Sequence, residues 1–292
     1  MSQIQAATRC SLRKQSRLPR RVAVGTSRHA LRVCGAIILL ASTHVPSAAE
    51  GSEIRAAYDL LFGGLTIGKA DVRIAIRGKG YTVRVNYGTS GAARLMGRAN
   101  GEAVSTGAFM RGRLVPTTFN LAHQGSQRTQ KINLAMSAGS VDAMTIDPPV
   151  KPRSPGTPIT GKHLKNVTDP LSALFLPAAG PDGKSESGAC DRTVQVFDGM
   201  RRFDVTLKRK ETRMANRGPY VGLLAACEIQ ITHIAGQTRD ESRTPNRPLS
   251  GIEVTFGVLD VHKIYVPVSL SAKMGYLTIG ARLTQLSRSN SE

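Results

Sequence analysis

The stretch Asp71–Tyr87, DVRIAIRGKGYTVRVNY, alternates apolar and polar residues on both sides of a glycine-containing turn. The apolar residues of one face are Val72, Ile74 and Ile76 before the turn and Tyr81, Val83, Val85 and Tyr87 after it. A period of two is typical of strands that bury one face. The stretch therefore predicts a β-hairpin that turns at Gly78-Lys79-Gly80 and keeps its other face in water.

A second hairpin is predicted around the dipeptide Asp198-Gly199. Asp-Gly tolerates the positive φ angles of a two-residue type I′ turn. Such a turn pairs Phe197 with Met200 and places Val194 opposite Phe203 on one face.

Alternation continues along most of the chain. Further strand-like runs are Glu102–Phe109, Val115–His123, Lys131–Met136, Ala226–Ile234, Ile252–Val258, Lys263–Leu270 and Tyr276–Leu286. About ten or more short strands joined by glycine-rich turns predict a mainly β fold. We expect an antiparallel barrel, half-barrel or sandwich with one short helix.

Two segments interrupt this pattern. Residues 147–161 hold five prolines and predict an extended loop. The short helix follows it, with Asp169 as the N-cap and Pro170 at the first helical position. Its apolar stripe, Leu171, Leu174 and Phe175, either packs on the sheet or forms a lid over a ligand cavity.

Residues 1–49 resemble a secretory signal peptide. A basic region precedes the apolar run Val33–Ala41, and the small residues Ser47 and Ala49 place the cleavage site between Ala49 and Glu50. A membrane anchor needs about 20 apolar residues, so this run is too short for one. We expect secretion across the inner membrane to the periplasm and a single β-rich domain over residues 50–292, without a transmembrane segment.

The length of the basic region leaves two alternatives open. Arg20-Arg21 fits a twin-arginine signal. A start codon near Val22 or Val24 explains the length equally well.

Two cysteines, Cys190 and Cys227, remain after the leader is removed. An even pair in an oxidising compartment predicts a disulfide. The alternative is two separate buried thiols.

The whole chain has a net charge of +20, and subtracting the eight basic residues of the acid-free leader leaves +12. Such a charge attracts anionic lipid headgroups or glycans, unless it only keeps the surface solvated. Nucleic acid is not expected as a partner, because the chain has no Trp and only 4% aromatic residues for stacking on bases.

Motifs for chemistry are missing from the sequence. Both near matches to a phosphate-binding loop, Gly63–Ala70 and Gly156–His163, lack the Ser or Thr that must follow the Lys. The histidines of the mature part, His123, His163, His233 and His262, stand singly without metal-ligand spacing. We therefore predict no catalytic residue, cofactor or metal, and a protein that is not an enzyme.

Several segments together resemble the bacterial family catalogued as domain of unknown function 3108. They are Tyr58, Gly63-Gly64, Gly101-Glu102-Ala103, Pro116, Asp169–Leu174, Phe197–Asp204, Cys227, Pro267 and the strand after Gly275. The resemblance implies an exported, β-rich envelope protein without an assigned activity, and it brings no catalytic residues.

Three functions remain open from the sequence. The first is a non-enzymatic carrier or binder of an apolar or lipid-like ligand in the concave face of a curved sheet. The second is an envelope scaffold that binds anionic glycan or lipid headgroups, and the third is a hydrolase whose site leaves no linear motif. The sequence does not give the oligomeric state.

Overall fold

The computed structural model describes residues 51–110, 113–126, 129–149, 157–175, 188–236, 249–259 and 264–291. Thirteen strands within these ranges form one antiparallel sheet, which confirms the predicted mainly β class. The predicted leader and its cleavage site between Ala49 and Glu50 lie outside the described residues, as does His262.

The strands are β1 Gly51–Phe62, β2 Leu65–Arg77, β3 Gly80–Thr89, β4 Ala99–Met110, β5 Arg113–Gly125, β6 Thr129–Ser137, β7 Ser140–Asp147, β8 Arg192–Phe197, β9 Arg202–Ala215, β10 Gly222–Ala235, β11 Leu249–Leu259, β12 Ile264–Met274 and β13 Leu277–Ser291. Two α-helices, α1 Ala93–Met96 and α2 Pro170–Leu174, and a 3-10 helix, Gly161–Leu164, lie between them. The sequence predicts only α2 of these.

Strand order shows how the chain builds the sheet. The order is β7-β6-β5-β4-β3-β2-β1-β13-β12-β11-β10-β9-β8, so the first and last strands are neighbours in its middle. Gly51 of β1 pairs with Ser291 of β13, and Phe62 pairs with Ile279. The two edges are β7 and β8, and they do not pair with each other.

The predicted hairpin of β2 and β3 forms, with Gly80 in strand β3 and not in the turn. Val72 pairs with Val85 and Ile74 pairs with Val83, while Arg77 and Gly80 close the two-residue turn. The apolar face of both strands is buried in the main core, and the polar face is exposed. Alternation in the sequence therefore directs this face inward, as period-two patterning requires.

A second, smaller core lies on the opposite face of β9–β12. Ile264 and Val266 of β12 belong to the main core, whereas Tyr265 between them packs in the smaller one. Cys190 and Cys227 are buried there and form a disulfide with a Cα–Cα distance of 5.5 Å. The predicted pairing is confirmed, and the alternative of two separate thiols is wrong.

A short segment before α2 joins the two edges of the sheet. The Val167 amide donates to the Gly139 carbonyl in the β6–β7 turn, and the Thr168 amide donates to the Gln195 carbonyl of β8. Thr168 also accepts from the Phe197 amide, which makes a parallel bridge to β8. The segment therefore bridges edges that do not pair directly.

The predicted two-residue turn at Asp198-Gly199 is wrong. Phe197 pairs with Arg202, not with Met200, so the loop holds four residues, and Val194 faces Val205 instead of Phe203. The Asp198 carboxylate accepts from the amides of Met200 and Arg201 at 2.8 and 2.6 Å and so stabilises the longer loop.

Gly199 in this loop has a φ of +96°, and a Cβ placed on it would lie 2.5 Å from Cγ2 of Ile132 in β6. The loop therefore packs against the far side of the sheet at a position that only glycine fills without strain.

The disulfide holds the segment before β8 onto the smaller core. We predict that replacing both Cys190 and Cys227 by Ala lowers the free energy of unfolding by about 2–5 kcal/mol, because the unfolded chain regains the entropy of the closed loop. Urea denaturation of the oxidised protein and of the double variant measures this difference. Equal midpoints for the two proteins would show that the cross-link contributes nothing.

Candidate functional site

Helix α2 begins at a fully buried carboxylate. Asp169 is 0% exposed, and its Oδ1 accepts from the amides of Leu171 and Ser172 at 2.9 and 3.1 Å. This is the predicted N-cap, with Pro170 at the first helical position. The cap satisfies two amide groups that would otherwise be buried without a partner.

Three hydroxyl groups continue from this carboxylate into the sheet. The Ser105 hydroxyl of β4 donates to Oδ2 of Asp169 at 2.8 Å and lies 3.0 Å from the Ser172 hydroxyl, which lies 2.7 Å from the Tyr81 hydroxyl of β3. The Ser172 side chain also hydrogen-bonds to Asp169, so both serines contact the carboxylate and Tyr81 joins them through Ser172. The network ties α2 to β3 and β4.

Burial dominates the protonation of this network. Burial raises the pKa of Asp169 above its usual range, and hydrogen bonds from Ser172, Ser105 and Leu171 partly oppose the shift. Burial also raises the pKa of Tyr81, so its phenol stays protonated. The hydrogen bonds of this network anchor α2 to strands β3 and β4.

The apolar stripe of α2 faces inward. Leu171 and Phe175 are buried in the main core, and Leu174 packs against it. This agrees with packing on the sheet. Opening of the helix over a ligand stays a prediction.

A depression of about 550 Å³ lies at the β3–β4 connection. Its lining residues are Gly88, Thr89, Arg94, Arg98, Ala99, Asn100, Gln124, Gly125 and Ser126. Arg94 and Arg98 are exposed, and no acidic residue belongs to this lining. The depression therefore combines two cations with hydroxyl and amide groups, a composition that suits an anionic, hydrogen-bonding ligand.

Local hydrogen bonds fix the backbone around these arginines. The Arg94 Nε donates to the Thr89 carbonyl at 3.0 Å, which leaves its terminal nitrogens to other partners. The Arg98 carbonyl accepts from the Ser126 amide at 3.0 Å and connects the loop to the end of β5. The sequence analysis did not single out either arginine, because the β3–β4 connection has neither apolar–polar alternation nor a recognisable motif.

A neighbouring depression of about 580 Å³ shares Asn100 and Gln124 with the first. Lys131 and Glu102 line it, together with His123 and Tyr87. The two depressions form a continuous surface, which we call the rim groove. It carries cations at both ends and mostly neutral polar groups between them.

The described histidines are engaged separately. His123 Nδ1 lies 2.9 Å from the Tyr87 hydroxyl, with the two rings stacked, while His163 Nδ1 accepts from the Thr160 amide. His233 contacts the Phe203 ring. Among the described residues, no three His, Cys, Asp or Glu side chains are placed to hold a metal ion.

Asp169 offers a test of the buried network. We predict that Asp169→Ala lowers the free energy of unfolding by about 3 kcal/mol, through the lost cap and the hydrogen-bonding groups left buried without partners. Asp169→Asn keeps a capping oxygen and costs about 1 kcal/mol. Urea denaturation compares the two, and equal losses would contradict the role of the cap.

The pH dependence has a defined sign. A raised folded-state pKa means that folding favours the protonated form of Asp169, so this proton-linked part of the stability is present at low pH and is lost as pH rises from about 4 through the folded-state pKa. Wild type should therefore lose stability relative to Asp169→Asn as pH rises through that pKa. The opposite slope would contradict a raised pKa.

The chain was compared with known families, curated proteins and solved structures. In the described part of the chain, none of the helices has the length and apolarity needed to cross a membrane. No curated protein matches the chain in sequence. A crystal structure of a β-barrel-like protein of domain of unknown function DUF1849 from Brucella abortus is similar, with 11% identity and a TM-score of 0.44 over 82% of this chain and 98% of that chain. The family described as "Protein of unknown function (DUF3108)" matches residues 57–242, and the chain belongs to this family.

Proposed function

We propose that this protein is an exported, non-enzymatic envelope protein that binds a lipid-like molecule by its anionic headgroup. The observation that carries the proposal is the rim groove, where Arg94 and Arg98 lie beside hydroxyl and amide groups without an acidic lining residue at that end. A phosphate or carboxylate with attached hydroxyl groups complements this lining. This is the headgroup-binding function expected from the basic charge.

Charge distribution supports binding of an anion at this place. Arginine presents a planar set of donors that matches phosphate oxygens, and neutral neighbours such as Asn100 and Gln124 bind hydroxyl groups. Lys131 and Glu102 both line the other end of the groove, and Glu102 forms an ion pair with Arg84. We therefore assign the anionic group to the Arg94 end and the neutral part of the headgroup to the remainder.

Export to the periplasm is part of the proposal. Its support is the leader-like sequence before Glu50 and the Cys190–Cys227 disulfide, since such cross-links persist in oxidising compartments. The resemblance to an envelope family points the same way. The absence of a catalytic motif from the sequence supports a binding role over catalysis.

Helix α2 favours a second candidate, carriage of an apolar chain. The helix packs against β4, β5 and β8 and places Leu171 and Phe175 in the main core. An acyl chain that took the place of these side chains would enter the core without breaking a strand pair. Spin labels on α2 and β4 test this, because added fatty acid should lengthen the distance between them; an unchanged distance would contradict carriage.

The groove is tested with protein isolated from its own periplasm. Native mass spectrometry should give a chain that begins at Glu50, contains one disulfide and carries bound lipid.

We predict that Arg94→Gln/Arg98→Gln reduces the affinity for soluble dihexanoyl phosphatidylglycerol by about tenfold or more, since each charge-assisted hydrogen bond contributes about 1.5–3 kcal/mol. Isothermal titration calorimetry measures this affinity.

A matched control removes two cations elsewhere. Lys208 and Arg217 are exposed on β9 and after it, so Lys208→Gln/Arg217→Gln changes the net charge equally without altering the groove. The control should keep the wild-type affinity. Equal loss in both double variants would mean that overall charge, and not the groove, binds the lipid.

A further inference from the structure

Two neighbouring hairpin turns expose apolar side chains at one end of the sheet. Leu65 in the β1–β2 hairpin is 73% exposed, and Tyr276 and Leu277 in the β12–β13 hairpin are 95% and 42% exposed. Phe62 and Leu249 beside them are also exposed. Contiguous apolar surface of this kind marks an interaction site. We call these five residues the apolar tip.

The turns that carry the apolar tip are held together. Phe62 pairs with Leu65 across one turn and with Ile279 of the neighbouring hairpin. The Gly63 amide donates to the Thr278 carbonyl at 2.8 Å. Leu249 joins through its pairing with Met274. The exposed side chains therefore project from a connected set of strands, so ordering them on binding costs little entropy.

Cations border the apolar tip. Lys273 pairs with Thr278 next to the β12–β13 turn, and Lys69 and Arg282 lie in a cross-strand row on either side of Asp59. Three cations thus accompany one acidic residue in this row and turn. Apolar and aromatic side chains bordered by Lys and Arg are typical of surfaces that enter the headgroup region of anionic membranes.

The apolar tip shares an end of the sheet with the rim groove. The Ser90 amide in the β3–β4 connection donates to the Ile67 carbonyl of β2, close to the β1–β2 turn. The first and third connections of an antiparallel meander lie at the same end. A membrane that contacts the tip would therefore lie beside Arg94 and Arg98.

We propose that the apolar tip docks on the surface of an anionic phospholipid bilayer. Leu65, Tyr276 and Leu277 enter the headgroup boundary, and Lys69, Lys273 and Arg282 face the lipid phosphates. A second copy of the chain would bring like charges together at this surface, so charge complementarity favours the membrane. The docking extends the proposed headgroup binding, but it uses different residues.

The absence of tryptophan from the chain gives a direct test. Tyr276→Trp places a single fluorescent reporter on the tip. Adding vesicles of equal parts phosphatidylglycerol and phosphatidylcholine should shift its emission to shorter wavelength, whereas pure phosphatidylcholine vesicles should shift it much less. Val221→Trp at the opposite end of the sheet is the matched control and should not shift.

Loss of apolar side chains should weaken docking. In the Tyr276→Trp background, Leu65→Ser/Leu277→Ser should reduce the vesicle affinity by about tenfold or more, because each leucine loses burial in the interface. The control Val221→Ser/Leu223→Ser removes residues of similar exposure, 65% and 50%, and should leave the affinity unchanged. Added salt should weaken binding to the anionic vesicles.

Three results would contradict docking of the apolar tip on a membrane. It is overturned if the emission of Tyr276→Trp stays constant with anionic vesicles, if Val221→Trp shifts equally, or if the shift appears with protein concentration alone, which would indicate a second copy. The proposed headgroup binding is judged separately with dihexanoyl phosphatidylglycerol. Arg94→Gln/Arg98→Gln should weaken that binding by about tenfold or more while vesicles still shift the reporter on the tip.

Discussion

The buried carboxylate of Asp169 is the constraint on which the arrangement of the sheet depends. A carboxylate without solvent is costly unless every oxygen has a partner. Two helix amides and the Ser105 hydroxyl supply those partners, so the first turn of α2 is tied to the inside of the sheet. The residues just before it, Val167 and Thr168, hydrogen-bond to the β6–β7 turn and to β8, at the two edges of the sheet. One polar contact thereby positions the helix, the bridging segment and the edges of the sheet.

This arrangement separates the parts of the protein that give stability from those that offer binding. The interior holds the main core and α2, and the opposite face of β9–β12 holds the disulfide-linked cluster. Polar depressions and exposed apolar turns occur instead at the ends of strands, where loops leave the sheet. Loops on a rigid scaffold can vary without disturbing the core. The rim groove and the apolar tip therefore use positions that the fold leaves available.

Sequence patterning predicted the elements that local physics controls. Alternation gave the β2–β3 hairpin, and the Asp-Pro start gave the cap of α2. Edge strand β7 was missed because both its faces are largely exposed, which removes the alternation. The register after Asp198 was wrong because the loop also packs on Ile132, which is distant in sequence. The contacts of Asp169 and Ser172 with Ser105 and Tyr81 depend on such distant pairing as well, so no local signal identified them.

Amide hydrogen exchange tests the central claim that the Asp169 cap and the bridging segment hold the two edges of the sheet together. The relevant amides are those of Val167, Thr168, Leu171, Ser172 and Phe197, whose hydrogen bonds form the cap of α2 and the bridge between the β6–β7 turn and β8. We predict that they exchange as slowly as the amides of the central strands β1 and β13. Exchange at the rate of unprotected amides, while β1 and β13 stay protected, would contradict this account.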